Sequence, residues 1–251
     1  MRKKRAMTSS KASSVKKMGH LDAKEFAKLI GVSDDYKNDE KAKKDVVDLN
    51  GDSHSVKSGS SFWQIFLYGK NRFENDVAFK AMNGIGEIML NCINSIPNDK
   101  NEYQKNKDFF KEKIASQMIL LCNKLQEKYR LEAFLRKSIF EGSQVNYLTI
   151  KHNGSFHIFW HDDVIKTFVD NFKIENSKGM QKVLLKLENN CGEIEMRNGE
   201  DHHHKEMKFR LHKIKVVNLL QQEIKDFKIF NQSVAVYGMA IKKFLKNNYK
   251  I

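Results

Sequence analysis

Residues 45–57 read Asp45-Val-Val-Asp48-Leu-Asn-Gly51-Asp-Ser-His-Ser55-Val-Lys57, and the fold turns on how this stretch closes on itself. Asn50-Gly51 marks a tight turn between two short β-forming runs, which predicts a hairpin. Loop length then decides which side chains meet. With a two-residue loop, Asp48 faces Ser53 and Asp45 faces Val56, which leaves Asp45 and Lys57 on opposite faces of the ribbon. With the three-residue loop Leu49-Asn50-Gly51, Asp48 faces Asp52 and Asp45 faces Ser55, so Asp45, Ser55 and Lys57 share one face. Glycine at the third loop position suits the left-handed bulge of such loops, and this second register is the expectation.

Upstream, Gly19 to Gly31 predicts a short helix. Leu29, Phe26, Ile30, Ala23 and Ala27 fall on one arc at about 100° per residue, and Gly31 stops it. Asp22 projects inside that arc and Glu25 lies on its edge. A carboxylate aimed toward a core needs a compensating cation, either a metal ion or a lysine. Residues 1–18 carry Arg2, Lys3, Lys4, Arg5, Lys11, Lys16 and Lys17 without an acid among them. They read as a flexible basic arm.

Downstream, the polar segment from Asp34 to Lys44 reads as a loop, and Ser58-Gly-Ser-Ser61 as a small-residue turn. The apolar run Phe62-Trp-Gln-Ile-Phe-Leu-Tyr68 predicts a buried central strand. Helices are expected from about Asp76 to Asn94 and from Asn106 to Phe140, the second with Ile114, Met118, Leu121, Leu125 and Tyr129 as its core stripe. Asn153-Gly154 predicts a hairpin of Val145–His152 with Ser155–Trp160. A short helix over Asp162–Phe172 follows, then strands at Lys182–Glu188, Glu193–Arg197 and Glu206–Leu211 and a helix near His212–Lys225. Ser233–Leu245 has no clear assignment. The expected class is mixed α/β (α+β): a mixed central sheet flanked by helices, with an additional C-terminal β-rich region. The arm at 1–18 precedes a single domain at 19–251, divided into a core with a helical insert (19–144) and the β-rich part (145–251).

The formal net charge is +14 over 251 residues. Such a field favours polyanions, with nucleic acid first and anionic membrane second. No stretch approaches the roughly 18 to 20 apolar residues that cross a bilayer, so no membrane partner is expected. No apolar run follows the basic N-terminus to make a secretory signal. Cys92, Cys122 and Cys191 are far apart, lack zinc spacing and leave an odd thiol, which fits a reducing cytoplasm.

Other motifs carry less. Consecutive histidines in Asp201-His-His-His-Lys205 point in alternate directions, which reads as a polar loop rather than a zinc site. Gly84-Ile-Gly86 sits inside a helical pattern, where close helix packing explains it better than nucleotide binding. Lys151, Lys186, Arg197, Lys205, Lys208 and Arg210, in the second half, are of the type that meets DNA phosphates or guanine edges.

The helix Gly19-His20-Leu21-Asp22-Ala23-Lys24-Glu25-Phe26-Ala27, then Asp45, then Ser55-Val56-Lys57, then the strand Trp63-Gln64-Ile65-Phe66-Leu67-Tyr68 together resemble the PD-(D/E)XK nuclease superfamily, and within it the type II restriction endonucleases. The resemblance spans roughly residues 19 to 70. It implies a restriction-endonuclease-like core and a Mg²⁺-dependent, site-specific endonuclease of double-stranded DNA, with Mn²⁺ as a substitute ion. It further implies a homodimer facing a palindromic target. Asp45 and a helix acid, Asp22 or Glu25, would hold the metal. Lys57 would orient or deprotonate the attacking water, and Gln64 would supply a carbonyl oxygen or fix Lys57. One position departs from the pattern: Ser55 stands where the family usually carries Asp or Glu, and serine is a poor ligand for Mg²⁺. Two alternatives stay open, a structure-directed repair or recombination nuclease and a non-catalytic nucleic-acid-binding protein with a decayed metal site.

Overall fold

The computed structural model describes residues 9–32, 45–59, 61–177, 184–197 and 205–248. Helix α1 (Ser9–Leu29) is followed by β1 (Val46–Val47), β2 (Ser53–Lys57) and β3 (Phe62–Tyr68). A helical stretch comes next: α2 (Lys70–Asn75), α3 (Val77–Ala81), α4 (Ile85–Asn94), α5 (Lys100–Lys105), α6 (Lys107–Leu125) and α7 (Lys128–Phe140). Then come β4 (Tyr147–His152), β5 (Ser155–Trp160), α8 (His161–Asn171), β6 (Ile174–Asn176), β7 (Leu184–Leu187), β8 (Gly192–Arg197) and β9 (Glu206–His212). The chain closes with α9 (Lys213–Glu223), β10 (Phe227–Asn231), β11 (Val234–Tyr237) and α10 (Met239–Asn248).

The fold is mixed α/β, with two sheets flanked by helices, and the chain forms two compact units. Met1–Ser60, Val145–His161 and Ile224–Ile251 make the first, and Ser61–Gln144 with Asp162–Glu223 the second. The chain does change unit at 144/145, but also after residues 60, 161 and 223, because it leaves the first unit and returns to it twice.

The first unit holds a six-stranded mixed sheet in the order β1-β2-β4-β5-β11-β10. β2 runs parallel to β4, and β11 runs parallel to β5. Helices α1 and α10 cover one face. Ala23, Phe26, Ala27 and Ile30 of α1 and Ala240 and Phe244 of α10 bury themselves against Val46, Tyr147, Phe156, Ile158, Val234 and Val236. The arc read on α1 is thus the buried one, but the helix begins at Ser9 rather than Gly19. No proline or glycine interrupts 9–18, and Ser, Ala and Lys are all tolerated on a solvated helix. The part of the expected arm at 9–18 is accordingly helical. Residues 1–8 and the loop expected at 34–44 lie outside the described residues.

The second unit holds a five-stranded sheet in the order β3-β9-β8-β7-β6, antiparallel throughout. Here the reading of 62–68 as a central strand is corrected: β3 is an edge strand, with Phe62 and Gln64 exposed and Trp63, Ile65 and Phe66 buried. A register irregularity between Gln64 and Phe66 puts two consecutive side chains inside, which is why the run looked continuously apolar. Phe66 lies 5.8–6.5 Å, ring to ring, from Phe73, Phe79, Phe134 and Phe209. Ile114, Met118, Leu121 and Leu125 of α6 are fully buried. Tyr129 does not continue that stripe. The helix stops at Leu125, and Tyr129 sits exposed on α7, beneath the Arg130 guanidinium. Gly86 starts α4 against α3, where any Cβ would collide with the Phe79 carbonyl. The glycine there serves close packing.

Candidate active site

The β1–β2 hairpin adopts the three-residue register. Val46 lies opposite His54 and Val47 opposite Ser53. The Asp48 N–H donates to the Asp52 carbonyl at 2.9 Å, and Gly51 takes the left-handed conformation at φ +82°. Asp48 itself builds the turn, its Oδ1 accepting from the amides of Asn50 and Asp52 at 2.9 Å each. This local acceptance is what short acidic side chains offer a turn.

Alternate residues of β2 face opposite sides of the sheet. His54 and Val56 face α1, with the His54 ring 5.0 Å from that of Phe26. Ser55 and Lys57 face the other side, and there they meet Asp45. One oxygen, Oδ2 of Asp45, gathers three donors: the Val56 N–H at 2.7 Å, the Ser55 hydroxyl at 3.5 Å and the Lys57 ammonium at 3.8 Å. Ser55 is fully buried, while the Asp45 and Lys57 side chains keep 29% and 21% exposure. A ligand can therefore reach this pair.

The helix acids are placed elsewhere. Asp22 and Glu25 both accept from the Lys151 ammonium, at 2.8 and 2.6 Å. Lys151 lies on the α1 side of β4, 5.4 Å from the Phe156 ring. Burial would lower the Lys151 pKa, but Asp22 and then Glu25 outweigh it and hold it above the usual lysine value. The compensating cation expected for Asp22 is thus a lysine. Asp22 and Glu25 are not brought to Asp45 and Lys57, which occupy the opposite face of the sheet. Gln64 is not on a neighbouring strand either. The strands flanking β2 are β1 and β4, and Gln64 is exposed on β3 of the second unit, opposite Arg210. Among the described residues no group of three or more His, Cys, Asp or Glu is arranged to hold a metal ion.

A second polar cluster was missed in the sequence. Asp48 and His54 have fully buried side chains, with His54 Nε2 3.6 Å from Asp48 Oδ2. His54 Nδ1 is 2.9 Å from the Thr149 hydroxyl, and its ring stacks on Tyr147 at 4.6 Å. The Tyr147 hydroxyl donates to Asp52 at 3.0 Å. Burial holds the His54 pKa below the usual imidazole value despite Asp48 and Asp52. The neutral tautomer with its proton on Nε2 lets Thr149 donate to Nδ1 and turns the N–H toward Asp48. Burial pushes Asp48 up, but His54 and the two turn amides outweigh it and hold it low. The available signal was register: once Val46 faces His54, both belong to the helix-facing side.

Of the basic residues expected to meet DNA, Lys208 and Arg210 are paired across the sheet with Glu195 and Glu193. Lys151 is paired with the α1 acids. The histidines at 202–204 lie outside the described residues. Comparison with protein-family models and with curated proteins finds no match.

Proposed function

We propose that this chain is a Mg²⁺-dependent endonuclease of double-stranded DNA, with Asp45 and Lys57 as its reacting pair. The observation that carries the reading is the meeting of Asp45, Ser55 and Lys57 on one partly exposed face of the hairpin. Mg²⁺ is commonly held by one or two carboxylates, with water and substrate phosphate completing its shell, and Asp45 offers one such carboxylate. When bound, the ion supplies Lewis-acid polarisation of the scissile phosphate. The Val56 amide and the Ser55 hydroxyl hold the Asp45 carboxylate in place. Lys57 Nζ orients the attacking water or stabilises charge on the phosphate oxygens. The finer reading, a site-specific type II restriction enzyme acting as a homodimer, rests on the resemblance of residues 19 to 70 together with the +14 charge. Neither Asp22 nor Glu25 is assigned to the metal.

A second reading is favoured by Ser55 and by Asp45 being, among the described residues, the one carboxylate found beside Lys57: a nucleic-acid-binding protein without catalysis. Incubation with plasmid or phage DNA and Mg²⁺, with and without EDTA, separates the two. Discrete fragments that vanish with EDTA are expected, whereas salt-sensitive binding without cutting would establish the second reading. Lys57→Ala is expected to lose cleavage by about 10²- to 10⁴-fold while still binding DNA. Asp45→Asn should lose cleavage and Mg²⁺ dependence together. Wild-type cutting by either variant moves the site elsewhere.

A further inference from the structure

The second unit contains a cavity of about 560 Å³ bordered by Tyr68, Lys70, Asn71, Arg72, Asn98 and Lys205, within the size range of small-molecule sites. Of its three cations, Lys70 and Arg72 have carboxylate neighbours, whereas Lys205 is held by an amide oxygen, unlike Lys208 and Arg210 of the nearby sheet, which meet glutamates. Lys205 stands at the entry to β9 in the left-handed conformation, φ +64°. Its N–H donates to the Arg197 carbonyl at 3.1 Å. Its ammonium donates to the Asn98 side-chain oxygen at 2.6 Å. An amide oxygen fixes the ammonium without neutralising it.

Lys70 faces the same space. Burial, and then the positive charge of Lys70, lower the Lys205 pKa, so the two cations sense one another. The Lys70–Glu74 pair is wide, 3.4 Å, and about half exposed, which leaves much of that charge available. Arg72, by contrast, is spent on Asp76, Glu141 and the Tyr68 ring. Glu206 also borders the cavity, opposite Arg197 in the β8–β9 register. Two like charges held toward one concavity are unfavourable when it is empty and favourable around a dianion.

We propose that this cavity binds a phosphate monoester, gripped by Lys70 and Lys205 with Asn98 fixing the latter. A monoester carries roughly −1.5 to −2 charge at neutral pH, which two ammonium groups match. The group can arrive on a free mononucleotide or on the end of a nucleic-acid strand. The site is independent of the nuclease reading, since neither a metal nor cleavage enters the argument.

The test is calorimetric titration of the full chain, in EDTA, with inorganic phosphate, a 5′-mononucleotide, and short oligonucleotides bearing a 5′-phosphate or a 5′-hydroxyl. Phosphate should bind, and Lys70→Met and Lys205→Met should each weaken it by about tenfold or more. Lys70 is half exposed, so its variant folds and keeps the test decisive, with thermal melting as the check. Preference for the phosphorylated over the hydroxyl oligonucleotide assigns the site to strand ends. Binding confined to phosphate and the mononucleotide assigns it to a free ligand. Absence of phosphate binding, or affinity unchanged in both variants, overturns the proposal. Because EDTA is present throughout, its failure leaves the nuclease reading standing, and failure of cleavage leaves this one standing.

Discussion

Lys151 is the residue whose removal says most about the first unit. It separates Asp22 and Glu25, which sit one helical turn apart and would otherwise face each other across a low-dielectric surface. Lys151→Met is expected to destabilise the protein by roughly 1 kcal/mol, a figure kept small because Glu25 is half exposed. Adding Asp22→Asn to that variant should restore part of the loss, since it removes the carboxylate left uncompensated. A urea midpoint equal to wild type for Lys151→Met would show the lysine to be a bystander. The meeting of Asp45 with Lys57 was legible in the sequence because a glycine at the third loop position favours the bulged three-residue loop over the two-residue one. The meeting of Asp22 with Lys151 was not legible, since β4 reaches α1 only after the whole helical stretch and no local pattern announces a partner so distant. An acid on a core-side arc told of a cation without telling which one.

At the level of elements, Asp76 shows how a terminus is held. Its side chain accepts from the Phe79 N–H at 3.1 Å, closing the start of α3, and lies 3.1 Å from Lys137 and 3.5 Å from Arg72. Burial raises its pKa, but Lys137, the Phe79 amide and Arg72 outweigh it and hold the carboxyl below the usual aspartate range. A carboxyl with a depressed folded pKa gives stability that is complete above the unfolded value and lost as pH falls through the folded one. Asp76→Asn, which keeps a cap acceptor, should therefore flatten the acid limb of the stability profile below about pH 4. Asp76→Ala should lose about 1 kcal/mol more at neutral pH, the usual worth of a cap. Thermal melts of both variants across pH decide it, and equal losses would deny the cap its role. The hairpin at Asn153-Gly154 was readable for the same reason as Gly51, both residues taking positive φ. Strand β3 was not, because a bulge disguises a one-sided edge strand as a buried one.

For the whole molecule, the first unit draws on three separated segments. Without β4, the His54 ring loses Tyr147 and Thr149, and without β11 and α10 the α1 core loses Val234, Val236 and Phe244. A fragment of residues 1–144 is therefore expected to leave the amides of 45–57 unprotected against hydrogen exchange, while the full chain protects them. Protection in the fragment would mean that the hairpin and α1 suffice by themselves. Sequence patterns identified most strands and helices but not this interleaving, since pairing between distant segments leaves no trace in local periodicity. The order of the segments also has a temporal side. A ribosome releases Asp45 and Lys57 before β4, β11 and α10, so the newborn polypeptide carries the pair on an unsupported ribbon until those segments have emerged. Whatever chemistry this pair performs thereby waits on the arrival of the two later segments that complete its sheet.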